Sequence, residues 1–408
     1  MYISPLFPEM PLTVGDVAAE LLLSIDTVRR WEKKGLIRAS RDVRGQRLFD
    51  LEEVRLLKQK LNEKPTGCFS VLKSEIETPY TVIELFAGAG GLALGLENAG
   101  LKATALVEID KQAAATLQKN RPVWNVYQQD VRSINFSGHN ADVVTGGFPC
   151  QAFSYAGKKL GFEDTRGTLF FEYARIVKEV NPKIIVAENV RGLLNHDNGR
   201  TFQTMLSVLD ELGYRLEHRI LRAQYLDVAQ KRERLVVFGI RKDFNIPTVF
   251  PKECQYTVSL REALEGVPVS VGQQYTVKKK TLMSLIPEGG YWRNLPDNLQ
   301  REYMGASYFM GGGKTGMARR LSWDEPSLTL TCNPAQKQTE RCHPEETRPL
   351  TIREYARVQS FPDNWEFTGS TASQYRQIGN AVPVNLGYHI GVCLKQMLDQ
   401  LEPNASSK

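Results

Sequence analysis

Cysteine is sparse in this chain, long apolar runs are missing and neither sign of charge dominates strongly; each shortage narrows what the protein can be. Six cysteines stand at positions 68, 150, 254, 332, 342 and 393, with no C-x-x-C pair and no regular spacing, so neither a zinc site nor a disulfide framework is expected. A reducing, intracellular setting suits such scattered thiols. No window approaches the roughly eighteen uninterrupted apolar residues of a membrane span, and the N-terminal stretch lacks the charged-then-apolar order of a secretory leader. The expectation is a cytoplasmic protein with no membrane partner. A formal charge of +6 is too mild to name a partner by itself.

What is present is ordinary globular material. With 408 residues, 42% hydrophobic and 24% charged, the chain can bury the cores of two or three domains. The charge is unevenly placed: Arg29, Arg30, Lys33, Lys34, Arg38, Arg41, Arg44 and Arg47 face only Glu32 and Asp42 in that stretch. Composition divides the chain into residues 1–64, helical and basic; a linker at 65–79 marked by Pro65, Gly67 and Pro79; an α/β region at 80–241; an irregular stretch at 242–347; and a helical return at 348–408 ending in a frayed tail. In the α/β region TVIELF, ATALVEID, DVVTGG, KIIVAEN and RLVVFGI read as buried strands, with helical periodicity in GLALGLENAG and TLFFEYARIVKEV between them. That alternation predicts a mostly parallel sheet covered on both faces. The stretch at 242–347 reads as a small irregular β domain.

In the N-terminal unit, LTVGDVAAELLLSIDTVRRWEKKGLI reads as two short helices and a tight turn, with Ser24 or Asp26 placed to cap the second helix and Val28 and Trp31 facing a small core. The pattern is a helix-turn-helix with a basic second helix. RASRDVRGQRLFDLEEV resembles the wing and following helix of MerR-type regulators, with Gly45 in the turn, which implies DNA contacts from Arg29, Arg30, Arg44 and Arg47. The plainer alternative is a solvated helical face.

ELFAGAGGLALG follows a strand and opens a helix, so the backbone at Gly88, Gly90 and Gly91 can approach a ligand closely. The spacing alone also allows a dinucleotide site. Glu108, at the end of the second strand, can accept hydrogen bonds from ribose hydroxyls, and Asp130, at the end of the next, from an adenine amino group. Together they point to an adenosine-containing cofactor; otherwise both acids are helix caps at strand ends.

Cys150 lies just past the strand DVVTGG, between Pro149 and a Gly- and Lys-rich loop. A lone cysteine is more often a small buried apolar residue, but an exposed, electropositive loop favours the thiolate. Glu188 in AENV and Arg232 and Arg234 in QKRERLVVFGI end and begin further strands.

In order, FAGAGG, PCQAFS, ENV, QKRER, RPLTIREYARVQSFPDNW and QYRQIGNAVPVNLG resemble the motifs of DNA (cytosine-5)-methyltransferases over about residues 80–398. The resemblance implies an S-adenosylmethionine-dependent, Rossmann-like α/β fold with a mixed sheet, a small irregular target-recognition domain at 242–347 and residues 348–408 completing the catalytic domain, preceded by the winged helix-turn-helix. It implies S-adenosylmethionine as cofactor, held by Phe86, Gly88, Gly90, Gly91, Glu108, Ile109, Asp130, Val131 and Asn380, although Asn380 reads equally well as a turn asparagine. Cys150 becomes the nucleophile that attacks C6 of a flipped cytosine, Glu188 the acid at N3, and Arg234 the donor to O2. Arg232 would hold a phosphate or orient the loop, and Gln151 would support the pocket. Ser154, Lys158 and Lys159 would line a lid on the duplex. Thr329 and Leu330 resemble the Thr-Leu element of target-recognition domains, and Arg319 or Arg320 would reach phosphate more readily than base edges. Double-stranded DNA is the implied partner of a chain monomeric in catalysis, with a restriction endonuclease acting at the same site. Two other readings remain at this level: an RNA methyltransferase acting on transfer RNA, and a regulator whose methyltransferase part only senses cofactor.

Overall fold

A computed structural model of the chain describes residues 11–21, 25–33, 37–42, 45–62, 69–149, 169–311 and 314–401. Cys150, Gln151, Ser154, Lys158, Lys159, Ser24 and Arg44 lie outside the described residues, as do the 402–408 tail and the side chains of Asp26 and Arg30. The chain divides into two compact units, one built on residues 1–66 with the C-terminal end and the other on 67–397.

In the first unit a short strand β1 (Leu12–Thr13) leads into α1 (Val14–Leu21) and α2 (Ile25–Lys33), followed by a hairpin of β2 (Ala39–Arg41) and β3 (Arg47–Phe49) and by α3 (Leu51–Asn62). Val17, Ala18, Leu21, Val28, Ile37, Phe49 and Val54 form its core, with Trp31 packed against it. Gly45 takes a φ of 79° in the hairpin turn, a conformation that favours glycine. Arg47 Nε pairs with Glu32 Oε2 at 2.6 Å, tying the hairpin to α2. Arg29 is exposed on that helix.

The second unit is built on β4 (Thr81–Leu85), α4 (Gly91–Asn98), β5 (Lys102–Val107), α5 (Lys111–Asn120), β6 (Val126–Tyr127), β7 (Val143–Gly146), α6 (Leu169–Val180), β8 (Ile184–Val190), α7 (Arg200–Glu211), β9 (Tyr214–Arg222), β10 (Gln230–Lys231) and β11 (Glu233–Arg241). Its seven-stranded sheet runs β6-β5-β4-β7-β8-β11-β9. The first five strands are parallel, whereas β11 runs antiparallel to both β8 and β9. The sheet is therefore mixed, and the reversal brings the start of β11 to the edge where the parallel strands end. One face is covered by α6 and α7 through Phe170, Tyr173, Val177, Met205 and Leu209.

Later in the chain come α8 (Leu260–Leu264), α9 (Val277–Ser284), α10 (Asp297–Met304), β12 (Ser327–Leu328), α11 (Ile352–Val358), α12 (Thr371–Asn380) and α13 (Val384–Leu401). Tyr355, Val358, Phe361, Trp365, Ile378 and Val384 pack with Ala93, Leu94, Leu106 and Leu117 in a second core. The helical pattern expected through QYRQIGNAVPVNLG is broken after Asn380, where Pro383 cannot continue a helix.

Two expectations need correction. Residues 242–347 are not a β domain: among their described residues the regular elements are α8–α10, short 3₁₀ turns and β12, which pairs with β10. α9 and α10 bury one apolar residue each, Met283 and Met304, and α8 is only five residues long, too little to show a period in the sequence. The linker is also not free along its length. Ser74 N donates to Asn98 O, Thr78 N to Gly100 O, and Leu72 N to Asn385 Oδ1, so residues 72–78 are strapped onto the second unit.

Candidate active site

Because β5 and β7 flank β4 on opposite sides, the connections leaving β4 diverge, and open α/β sheets place ligands at such a switch point beyond the strand ends. A pocket of about 420 Å³ opens there. Its walls include Glu84 and Phe86 from the end of β4, Glu108 past β5, Gly147 and Pro149 past β7, Glu188 on β8, Arg232 and Arg234 beside β11, and Arg376 and Asn380 on α12.

At one end the chain turns sharply into α4. Phe86 and Gly88 have φ of 60° and 55°, and a Cβ on Gly91 would stand 2.0 Å from Val382 O, so this turn tolerates no side chain at 91 without displacing the α13 approach. Glu108 Oε2 accepts from Gly88 N and Oε1 from Asp110 N, both at 2.7 Å. Burial raises the Glu108 pKa and these amides oppose the rise. Asp110, not Glu108, caps α5, accepting from Gln112 N and Ala113 N while its other oxygen meets Arg376 Nη2 at 2.9 Å.

At the other end Arg234 Nε stands 2.6 Å from Glu188 Oε1. Burial lowers the Arg234 pKa, and the Glu188 charge counters it. Asn189 Nδ2 donates to Phe148 O at 2.9 Å, fixing the strand that leads to Cys150. Gly147 leaves room for Glu188, since a Cβ there would lie 3.0 Å from Oε2.

Several expected site residues take other places. Arg232 is 1% exposed and donates to Leu330 O, Gly379 O and Ala381 O. It is too enclosed to hold a DNA phosphate, and it joins β11 to the approaches of β12 and α13. Leu330 is in the core rather than on a DNA-facing surface, because its carbonyl and amide are held by Arg232 and Gln230. Arg320, 4% exposed, donates to Met283 O, Ile286 O, His343 O and Thr347 Oγ1; it binds its own domain together and cannot contact DNA. Arg319 is half-buried with its guanidinium over Tyr291, and Thr329 Oγ1 donates to Lys231 O. Asp130 stands after β6, not at its end, where it caps a 3₁₀ turn and pairs with Arg132, which holds its carboxyl down at about 2. Val131 is in the core. Neither is part of the pocket wall, and Ile109 stands 64% exposed beside it. Asn380 Oδ1 accepts from Cys332 Sγ at 2.9 Å.

Sequence reasoning missed Arg376, Asn189 and above all Glu84. A carboxylate inside TVIELF, an otherwise apolar buried strand, was the available signal. Its Oε2 is buried with no hydrogen-bond donor among the described residues. An orphaned acid, a glycine turn and a ribose-type acceptor in one pocket fit a cationic adenosine cofactor.

Fold and pocket together define an S-adenosylmethionine-dependent methyltransferase architecture. Solved structures agree: a DNA modification methyltransferase described from an Escherichia coli prophage superposes with a TM-score of 0.58 at 25% identity, over 78% of this chain and 99% of that one. The Dnmt2 methyltransferase of S. pombe does so at 0.54 and 19% identity, over 78% and 98%, which shows the fold alone. The C-5 cytosine-specific DNA methylase family matches residues 80–396, and the MerR family of regulatory proteins matches 13–49. Among relatives, the type II methyltransferase M.Eco47II of Escherichia coli is 52% identical over 95% of this chain and 96% of its own length. M.PspPI of Psychrobacter is 49% identical over 96% and 98%. The chain belongs to the C-5 cytosine-specific DNA methylase family, which makes it a DNA (cytosine-5)-methyltransferase and implies S-adenosylmethionine as its methyl donor.

Proposed function

We propose that the protein methylates C5 of a cytosine turned out of duplex DNA at a specific sequence, through a covalent bond between Cys150 and C6, as the protective half of a restriction-modification pair. The observation that carries this reading is one pocket with two chemically different ends, the glycine turn with Glu108 at one and the Glu188–Arg234 pair at the other. S-adenosylmethionine, when bound, supplies a methyl group on a positively charged sulfur.

The rest falls to side chains of this chain. C5 of cytosine is a weak nucleophile, and addition of the Cys150 thiolate to C6 makes C5 enamine-like. Pro149, the residue before Cys150 in sequence, lines the pocket. Glu188 hydrogen-bonds N3 and Arg234 donates to O2, stabilising the charge that spreads through the ring. Arg232 positions the start of β11 by holding backbone carbonyls. Loss of the C5 proton and departure of the thiolate from C6 then restore the aromatic ring. The base must leave the stack, at a cost of a few kcal/mol, and the segment with Gln151, Ser154, Lys158 and Lys159 closes on the duplex. Residues 242–347 read the target, with Thr329 and Arg319 at the DNA. The basic N-terminal unit binds duplex DNA through Arg29, Arg30 and Arg44 and can act on transcription. The relatives' type II designation supports a cognate endonuclease, and a duplex DNA substrate puts the protein in the cytoplasm at the nucleoid.

Duplex DNA containing 5-fluorocytosine tests the mechanism, because fluorine at C5 cannot leave as a proton and the adduct persists. With S-adenosylmethionine, a denaturation-resistant protein–DNA complex is expected from the native chain and none from Cys150→Ala. Trapping on transfer RNA but not on duplex DNA would overturn the substrate assignment, and no trapping at all would overturn the covalent step.

A further inference from the structure

Four carboxylates line the pocket: Glu84 from β4, Glu108 and Asp110 past β5, and Glu188 from β8. Three are engaged, Glu108 by the amides of Gly88 and Asp110, Asp110 by Arg376, and Glu188 by Arg234. Glu84 is 4% exposed, its Oε2 meets no donor among the described residues, and the charges acting on it are those of Glu108 and Glu188. Among the described residues the pocket's cations are committed elsewhere, Arg232 to the carbonyls of Gly379 and Ala381, Arg234 to Glu188, and Arg376 to Asp110. A carboxylate so enclosed is costly as an anion without a partner. Burial first, then repulsion from Glu108 and Glu188, pushes its pKa well above the usual carboxylate range.

We propose that Glu84 carries a proton in the ligand-free pocket and releases it to solvent when a ligand with a fixed positive charge enters, so that the protein separates the charged methyl donor from its uncharged-sulfur product by one proton. The inference rests on reading the pocket as the S-adenosylmethionine site. The charges balance around the cycle. A sulfonium entering beside Glu84 adds one positive charge, and the departing proton removes one. Methyl transfer leaves a neutral sulfide, after which an ionised Glu84 would again face Glu108 and Glu188 without a counter-charge. Uptake of a proton from solvent returns the acid to its neutral form. Product is then held without the ion pair that held the donor, which favours exchange.

Linkage gives the sign. While Glu84 is protonated in the free protein and ionised in the donor complex, donor affinity rises with pH, by up to about tenfold per unit, and product affinity does not follow this slope. The test is isothermal titration calorimetry of the full chain at one pH in two buffers of different ionisation enthalpy, which counts protons exchanged on binding. The ligands are S-adenosylmethionine, S-adenosylhomocysteine and sinefungin, whose protonated amine replaces the sulfonium. The donor and sinefungin are expected to release about one proton more than the sulfide product, and Glu84→Gln, checked for folding by thermal melting, is expected to abolish that difference and flatten the donor's pH slope. If E84Q does not fold, Glu84→Asp keeps an ionisable group and must keep the difference with a displaced pH midpoint. Equal proton counts for donor and product overturn the proposal while leaving the cofactor reading intact, as does a difference that survives in folded E84Q or an undisplaced midpoint in folded E84D. Failure of the native chain to bind the donor at all removes the cofactor reading and this inference with it.

Discussion

Arg234 Nε and Glu188 Oε1 approach to 2.6 Å between two antiparallel strands, each side chain only 11% exposed. The contact is an ion pair that leaves hydrogen-bonding capacity on both partners. A base edge presenting N3 and O2 side by side can take up that capacity. On the proposed mechanism the pair would bind a planar ring rather than only close the sheet edge.

Replacing Glu188 by Gln keeps the shape and removes the charge. Turnover on duplex DNA is expected to fall by about 10²–10³, with S-adenosylmethionine affinity within about twofold of the native value, because the glycine turn and Glu108 are untouched. The buried Arg234 loses its counter-charge, so stability also falls, by up to about 3–5 kcal/mol. Methyl transfer from tritiated donor, donor binding by calorimetry and denaturant unfolding separate the three effects. Equal losses in donor affinity and turnover would contradict the division of the pocket into two ends.

Arg319 and Arg320 are neighbours in sequence with opposite expected phenotypes. Arg320→Ala strands several buried carbonyls, among them those of Met283, Ile286 and His343; at about 1–3 kcal/mol for each unsatisfied group, a loss of at least about 3 kcal/mol is expected. Arg319→Ala should leave the melting temperature nearly unchanged and weaken DNA binding, with the slope of log affinity against log salt smaller by about one. Melting curves and salt titrations of both variants check this. A salt slope altered by Arg320→Ala in a fully folded protein, with none from Arg319→Ala, would reverse the assignment.

That adjacent pair also marks where the sequence stops being legible. A basic dipeptide in a glycine-rich stretch reads as a DNA contact, since burial depends on Ile286, Met283 and His343, far off in the chain. The central strands were legible because β4, β7 and β8 are buried along nearly all their length and their sequences are mostly apolar, with Glu84, Thr145, Glu188 and Asn189 as the buried polar exceptions. The edge strand β9 was not, since YRLEHRILR keeps polar residues partly or fully exposed along most of its length. The place of Glu108 at the pocket could be read from its distance to Gly88, whereas the bond from Arg132 to Asp130, two residues before it, was not foreseen. Glu84 was visible only as an oddity in an apolar strand, because its meaning lies in the positions of two acids from other strands.

A further consequence concerns acid stability. Asp227, at a φ of 57°, accepts from Tyr256 at 2.6 Å and faces His389 Nε2 on α13 at 2.9 Å. Burial alone would raise its pKa, but the hydrogen bonds from His389 and Tyr256 outweigh it and hold the carboxyl below its ordinary value. A depressed carboxylate contributes stability that is fully present above its unfolded pKa, about 4, and is lost as pH falls through the lower folded value. Asp227→Asn tolerates the left-handed backbone and removes only the charge. It is expected to lower stability by about 1–3 kcal/mol at pH 7, and the gap from the native chain should shrink below about pH 4. Urea unfolding at intervals from pH 3 to 7, a range chosen to bracket the carboxylate, measures the gap directly. A gap that stays constant across the range would mean that the charge of Asp227 contributes nothing and that only its shape holds α13 in place.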